Sequence, residues 1–177
     1  KRVFAKEYIT KGIPFVRSKD VIDKSLGNFK NYDLFISHER FRELKELTGS
    51  PEKGDILLSS VGNRSGRSYV VKDEGDFYFK DGNIIWISKF DEIDSYYLSY
   101  FFNSDLGQRK LQSVMIGSAQ KALTIDSIRN LRINLPNLQI QKGIANVLRT
   151  LDKKIELNKK TNENLENIAK AVFKSWF

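Results

Sequence analysis

The sequence has no cysteine, one histidine and three prolines among its 177 residues. Disulfide bonds and thiolate zinc sites are therefore excluded. Because His38 is the only histidine, histidine metal clusters and Ser-His-Asp triads have little support, and we interpret His38 as a surface or turn residue. No apolar run approaches the ~20 residues of a membrane span and no signal peptide opens the chain, so we expect a cytoplasmic protein without a membrane partner.

Motifs of the common enzyme classes are also missing. The three prolines do not form the Asn/Asp-Pro-Pro-aromatic motif that holds the target amine in amino-methyltransferases. The stretch GNRSG (62–66) lacks the pattern of a phosphate-cradling loop, and no Gly-x-Gly-x-x-Gly run occurs. The acidic group at 91–94 precedes a predicted helix, where carboxylates suit the helix dipole. The sequence therefore predicts no catalytic residue and no metal site.

The residues that are present favour a globular protein with a polyanionic partner. Lys and Arg number 30 against 22 Asp and Glu, which gives a formal net charge of +8. Such a balance favours nucleic acid first and an anionic membrane surface second. Hydrophobic residues make up 40% of the chain and include 12 Phe, 7 Tyr and 2 Trp, enough to bury a core.

Residues 1–136 predict an α+β domain that begins with short strands. Pro14 places residues 14–16 in an extended segment. Ser37 can cap a helix over 37–48, which the following Gly-Ser-Pro ends. Residues 54–62 and 67–73 predict two strands joined by the turn 62–66, and residues 76–88 repeat this pattern around an Asp81-Gly82 turn.

The period then changes from strand to helix. Residues 94–113 place Tyr97, Leu98, Phe101 and Phe102 on one helical face. Residues 115–124 predict a loop of small and polar side chains. A short helix follows, and then a strand over 131–135 that Pro136 ends.

Residues 137–177 predict one continuous helix of about 60 Å, too long for one compact domain to cover. Apolar residues repeat in sevens along it, which indicates a coiled-coil seam. Asn158 and Asn162 interrupt the seam, where buried asparagines would fix register and partner orientation. Alternatively, the helix lies on its own domain and both asparagines face solvent. The predicted seam comprises Leu148, Leu151, Ile155, Asn158, Asn162, Leu165, Ala169, Val172 and Trp176.

Two polar loops are the candidate nucleic-acid contacts, because Lys and Arg neutralise phosphates while Arg and Asn can read base edges. The first loop supplies Asn63, Arg64, Ser65 and Arg67, and the second supplies Ser118, Gln120 and Lys121. Arg17, Lys19 and Lys80 are candidate phosphate contacts. Each of these residues is also compatible with a solvated turn.

The last third of the chain, 123–177, resembles the end of a target-recognition domain and the conserved helical region of type I restriction–modification specificity (S) subunits. The resemblance rests on Leu135-Pro136, Gln139, Gln141, Ile144-Ala145, Leu151-Asp152 and Ile155, and on the final stretch LNKKTNENLENIAKAVFKSWF. The earlier stretches GDILLSSVG, KDGNIIWIS and IGSAQKALT also fit the recognition domain. The order and spacing of these motifs, which cover nearly the whole chain, carry the resemblance.

The resemblance implies a prokaryotic protein that performs no catalysis. It implies that 1–136 read one half of a bipartite target in double-stranded DNA. Residues 137–177 would serve dimerisation, spacing and binding of methyltransferase (M) subunits, and the complex would include restriction (R) subunits. It also implies no cofactor on this chain, because S-adenosylmethionine, ATP and magnesium would bind the partner subunits.

A typical S subunit carries two recognition domains and two helical regions, whereas this chain has one of each. We therefore expect either a fragment or a half-length subunit. A second recognition half would come from self-association or from the same full-length chain, and self-pairing predicts an inverted-repeat target. A coiled-coil adaptor with incidental basic charge is the alternative, and a small nuclease is a third class with no motif in its favour.

Overall fold

The structure is a computed structural model that describes residues 2–29, 31–62, 64–117 and 121–177. A 3-10 turn at Ala5–Glu7 precedes the first strand. The strands and helices are, in chain order, β1 (Ile13–Val16), α1 (Ser18–Ser25), β2 (Phe35–Ile36), α2 (His38–Thr48), β3 (Ile56–Ser59), β4 (Ser68–Val70), β5 (Tyr78–Phe79), β6 (Ile84–Ile87), α3 (Ser95–Asn103), α4 (Asp105–Ser113), α5 (Ile125–Arg129) and α6 (Leu138–Trp176). The α+β class expected from the sequence is confirmed.

Within the described residues, the strands form two three-stranded sheets. In the first sheet, β1 lies between antiparallel β2 and parallel β5. In the second sheet, β3 lies between β4 and β6 and is antiparallel to both, with Leu57 opposite Tyr69 and Trp86. The predicted strand pair around the 62–66 turn is therefore confirmed as the β3–β4 hairpin.

The central strand β3 is buried on both faces. Ile56 and Leu58 pack in one cluster with Leu98 of α3. Leu57 points to the opposite side and packs in a second cluster with Val21 of α1. Because side chains alternate across a strand, an uninterrupted apolar run requires cover on both faces. The two helices provide that cover.

The helix predicted over 37–48 is confirmed as α2, and its ends follow the expected chemistry. The Ser37 hydroxyl accepts from the Arg40 N–H at 3.1 Å, and Gly49 ends the helix at a φ of 78°. A third cluster forms where Phe41 and Leu44 of α2 pack on the first sheet.

The strands around Asp81-Gly82 are present but do not form the predicted second hairpin. β5 pairs with β1 in the first sheet, whereas β6 pairs with β3 in the second sheet. The turn, with Gly82 at a φ of 79°, therefore connects the two sheets. A turn signal sets the local backbone, but partner strands are chosen by burial of distant residues.

The helical stretch 94–113 is divided into α3 and α4 at Ser104. Asp94 caps α3, and the Ser104 hydroxyl caps α4 by accepting from the Gly107 N–H at 3.1 Å. The break lets Phe102 of α3 and Leu111 of α4 enter the same core cluster. The predicted apolar face is partly confirmed, since Leu98 and Phe102 are buried.

The predicted strand over 131–135 is wrong. No ladder pairs this segment with another described strand, although Leu131 and Ile133 pack against the core. Extended chain alternates its side chains whether or not a partner strand is present, so the apolar alternation alone misled the prediction. In place of a partner strand, a side chain satisfies one backbone carbonyl of this segment: Lys110 Nζ donates to the Arg132 carbonyl at 3.1 Å.

The predicted terminal helix is confirmed as α6, whose 39 residues span about 60 Å. Its N-cap is Asn137, whose side chain accepts from the Ile140 N–H at 3.0 Å. Only Gln141 and Ala145 of α6 are buried. The expectation that the domain leaves much of this helix uncovered is also confirmed.

Two helical glycines predict opposite responses to the same substitution. A Cβ at Gly107 would lie 1.8 Å from the Phe101 carbonyl oxygen, whereas a Cβ at Gly143 meets nothing within 4 Å. We expect Gly107→Ala to lower the free energy of unfolding by about 1–3 kcal/mol. The matched Gly143→Ala change should raise it by about 0.5–1 kcal/mol because alanine favours helix. Denaturant unfolding measures both, and equal shifts would contradict this packing.

Candidate nucleic-acid interface

Ser60 joins three loops at the end of β3. Its N–H donates to the Asn83 carbonyl at 2.9 Å, and its hydroxyl donates to the Gly82 carbonyl at 3.1 Å. Its own carbonyl accepts from the Leu123 N–H at 2.9 Å. Ser60 is only 2% exposed. The β3–β4 loop, the β5–β6 turn and the segment before α5 are therefore held together by one residue.

The β3–β4 loop is organised by Ser59, the residue before this junction. Its hydroxyl accepts from the Arg67 N–H at 3.1 Å, and its carbonyl accepts from the Gly66 N–H at 2.7 Å. Arg67 Nη1 donates to the Asn103 carbonyl at 3.1 Å, so this guanidinium is engaged with the end of α3. Arg64 is exposed, and Ser65 is half-buried. Of the two arginines predicted to contact nucleic acid, Arg64 is thus the more accessible to a partner.

The loop before α5 is closed at its base by Ile116 and Ala122. Each residue donates its N–H to the other's carbonyl at 2.9 Å. Ala122 also bridges to Val61, which places this loop beside the β3–β4 loop. Lys121 is exposed next to this base. The described parts of the predicted loop, 115–117 and 121–124, are confirmed as non-helical, and the second part lies against the first candidate loop.

The start of α1 reaches the same region. The Ser18 hydroxyl donates to the Asn83 carbonyl, which brings Arg17 and Lys19 towards the β5–β6 turn. Arg17 forms ion pairs with Asp20 and Asp33, and its hydrogen bond holds the pKa of the Asp33 carboxyl below the usual range. Lys19 is exposed. Arg17 therefore offers less unneutralised charge than its neighbour.

The structure thus brings the elements of the predicted contact residues to one end of the domain. The predicted contact residues that the structure describes are Arg17, Lys19, Arg64, Ser65, Arg67, Lys80 and Lys121. The other three, Asn63, Ser118 and Gln120, lie outside the described residues. Sequence reasoning missed the Ser60 junction and the residues Arg2 and Asn83 around the turn. The only available signal was a Ser-Ser pair directly after the apolar run of β3.

Gln141 fixes the start of α6 to the α+β domain. Its side chain accepts from the Asp94 N–H at 2.9 Å and donates to the carbonyls of Glu92 at 3.2 Å and Pro136 at 2.8 Å. Gln141 is 1% exposed. Since Asp94 caps α3, this one amide locks the first turn of α6 to the start of α3.

Further along, polar contacts hold α6 against the domain. The Arg149 guanidinium lies 4.0 Å from the Tyr96 ring centre, and the Tyr100 hydroxyl donates to Asp152 at 2.6 Å. Burial and the Asp152 carboxylate raise the pKa of Tyr100 above its usual value. Lys159 Nζ donates to the Gly27 carbonyl at 3.1 Å. Contacts with the domain thus reach about halfway along the helix.

The predicted seam is mostly open in this chain. Leu148 is half-buried, and every residue from 150 to 177 is exposed, including Asn158 and Asn162. The exposed fractions are 55% for Leu151, 54% for Ile155, 58% for Leu165, 41% for Val172 and 75% for Trp176. A helix with such large uncovered apolar side chains has the character of an interaction surface.

Within the described ranges, no group of three or more His, Asp or Glu side chains is placed to hold a metal ion. In that part of the chain, no helix is both long and apolar enough to cross a bilayer.

Sequence comparison places the chain in a family. The family described as "Type I restriction modification DNA specificity domain" matches residues 2–167. The chain therefore belongs to this family, which confirms the expected resemblance.

Relatives in two organisms share this likeness. The chain is 31% identical to the type I restriction enzyme HindI specificity subunit of Haemophilus influenzae over 147 residues, covering 79% of this chain and 32% of the relative. It is 32% identical to the MjaIX specificity subunit of Methanocaldococcus jannaschii over 172 residues, covering 97% and 38% respectively. The chain spans about a third of the length of these curated relatives.

A solved structure has the same fold. It is described as the "Structural basis underlying complex assembly and conformational transition of the type I R-M system" and matches with a TM-score of 0.58 at 19% sequence identity. The match covers 96% of this chain and 39% of the other. The α+β domain with its long helix is therefore an arrangement also found in that complex.

The two described arginines of the β3–β4 loop predict separable effects. Arg64→Ala should leave the free energy of unfolding unchanged and weaken discrimination at one base pair by about 1–3 kcal/mol. Arg67→Ala should lower the free energy of unfolding by about 1–2 kcal/mol, because the Asn103 carbonyl loses a charged donor. Unfolding and duplex-binding measurements on both variants check this, and a stability loss confined to Arg64→Ala would refute it.

Gln141 predicts a stability effect that its exposed neighbour lacks. Gln141→Ala leaves one N–H and two carbonyls without their partner, so we expect a loss of about 1–3 kcal/mol in unfolding free energy. Gln139→Ala, at an exposed position on the same helix, should change it by less than about 0.5 kcal/mol. Parallel denaturant titrations measure both, and equal losses would contradict the role of the buried amide.

Proposed function

We propose that this chain is a DNA-recognition subunit of a type I restriction–modification system that reads one half of a bipartite target. The observation that carries the proposal is the convergence of loops that carry basic residues on Ser60, through backbone hydrogen bonds, in a chain of the specificity family. A surface assembled from separate loops offers several contacts to one stretch of duplex. Lys19, Lys80 and Lys121 would neutralise phosphates, and Arg64 would read a base edge.

The two parts of the chain have separate roles in this proposal. Residues 1–136 form the reading domain. Residues 137–177 act as the spacer, dimerisation and M-binding arm. The exposed apolar side chains of α6 support such a role, because a partner helix packed against them would remove them from water. Asn158 and Asn162 would then set the register of the partner helix.

The remaining partners complete the assembly. M subunits would methylate the recognised DNA, R subunits would cleave it, and a second recognition half would read the other part of the target. This chain would be non-catalytic and would bind no cofactor, since S-adenosylmethionine, ATP and magnesium serve the chemistry of the M and R subunits. The name of specificity subunit carried by the relatives supports this division.

Selection from random duplexes by the M-bound assembly tests the proposal. We expect enrichment of a split motif, and affinity that falls steeply with salt as counterions are released. Lys121→Ala should reduce the salt slope by about 1. Lys53→Ala, an equally exposed lysine before the other end of β3, should leave it unchanged.

A pool without any enriched motif, bound with no salt dependence, would overturn the proposal. If the assembly with M still formed, that result would favour the protein-interaction adaptor. Cleavage of DNA by the chain alone in magnesium would contradict the non-catalytic role.

A further inference from the structure

Several hydrogen bonds from other elements hold the turn between β5 and β6, which is part of the candidate interface. Lys80 continues the β1–β5 ladder by donating its N–H to the Val16 carbonyl at 2.9 Å. The Asn83 N–H closes the turn onto the Lys80 carbonyl at 3.3 Å. The turn is thus anchored in the first sheet on one side and enters the second sheet on the other.

Two serines fix the exit of this turn. The Asn83 carbonyl accepts from the Ser60 N–H and from the Ser18 hydroxyl, and the Gly82 carbonyl accepts from the Ser60 hydroxyl. These donors lie directly after β3 and at the start of α1, and both elements are packed in the core. A turn held in this way loses little conformational entropy when it binds a partner.

The bracing uses only backbone atoms of Asn83. Each recorded hydrogen bond of Asn83 involves its N–H or its carbonyl, so no described residue engages its side-chain amide. Asn83 is half-buried and lines an open cavity of about 380 Å³ together with Arg2 and Lys80. A fixed backbone that presents an unengaged amide is suited to directional recognition.

Cationic side chains border this amide. Arg2 lies over the turn, since a Cβ at Gly82 would be 3.8 Å from Arg2 Nη2. Its backbone is held by Arg40, whose Nη2 donates to the Arg2 carbonyl at 3.3 Å. Lys80 lies at the start of the turn, and Asp81 is exposed at its tip. A carboxylate at the tip disfavours a phosphate there, whereas cations beside it attract the flanking phosphates.

We infer that Asn83 reads an adenine in the major groove, while Arg2 and Lys80 hold the phosphates on either side. This inference rests on the proposed function and adds the β5–β6 turn as a reading element besides the two polar loops. An asparagine amide has an acceptor and two donors, which match the N6 donor and N7 acceptor of adenine. The open cavity beside Arg2 and Lys80 leaves room for the sugar-phosphate backbone of the DNA next to that contact.

The test uses the M-bound assembly, duplex selection and four variants. In Asn83→Ala the preference for adenine at one position of the half-site should fall about tenfold or more, with the other positions unchanged. Asn83→Asp retains an acceptor but loses the donors, so the preference at that position should shift towards cytosine, which offers its N4 donor. Asn28→Ala, an exposed turn asparagine beyond the other end of α1, is the matched control and should select the wild-type motif.

Each other outcome is decisive. Unchanged motifs in both Asn83 variants, or a uniform loss at every position, would overturn the assignment of Asn83. Arg2→Ala should weaken binding evenly across sequences, so a change confined to one base position would overturn its phosphate role. A wild-type assembly that selects no motif would instead refute the proposed function. Unfolding midpoints of the variants separate these effects from loss of the fold, and the aspartate variant preserves the side-chain shape.

Discussion

The hydrogen bonds of Ser60 are the constraint on which the candidate interface depends. This residue uses its N–H, hydroxyl and carbonyl for partners in two other parts of the chain. Because polar groups buried this deeply must find partners, neither neighbouring segment can shift without leaving an unpaired group. The position of the β5–β6 turn relative to the segment before α5 is therefore set in the core and not at the surface. Exposed side chains of these loops can therefore be substituted while the backbone arrangement around Ser60 is retained.

Local signals in the sequence predicted the elements with their own caps or periods. Ser37 and Gly49 bound α2, and an uninterrupted apolar run marks β3. The failures arise where a decision depends on distant residues. The strands on either side of Asp81-Gly82 enter different sheets because β1 and β3 offer separate partners, which no local pattern reveals. At 131–135 the side chains alternate as in a strand, but their backbone lies beside α4 and pairs with none of the described strands.

The candidate site shows the same division between local and distant information. Charge and polarity in the loops could be predicted, so the sequence identified most of the basic residues that the fold collects. It could not identify which of them are already engaged, since the Arg67 contact with Asn103 joins residues 36 positions apart. Nor could it identify Asn83, whose backbone is held by two serines from distant parts of the chain. Availability of a side chain is a property of the assembled structure, whereas its chemistry is a property of the residue.

Further contacts connect the candidate interface to α6. Asn103 at the end of α3 bonds both to Arg67 and to the backbone of Ser68 in β4. At the start of α3, Gln141 holds the Asp94 N–H. Helix α3 is therefore fastened to the β3–β4 hairpin at one end and to α6 at the other. In the proposed role of α6 as a spacer, the distance between two reading domains would be controlled only if the joint with each domain is stiff. The buried amide of Gln141 and the contacts of Arg149 and Asp152 stiffen the first half of α6, and its second half lies exposed.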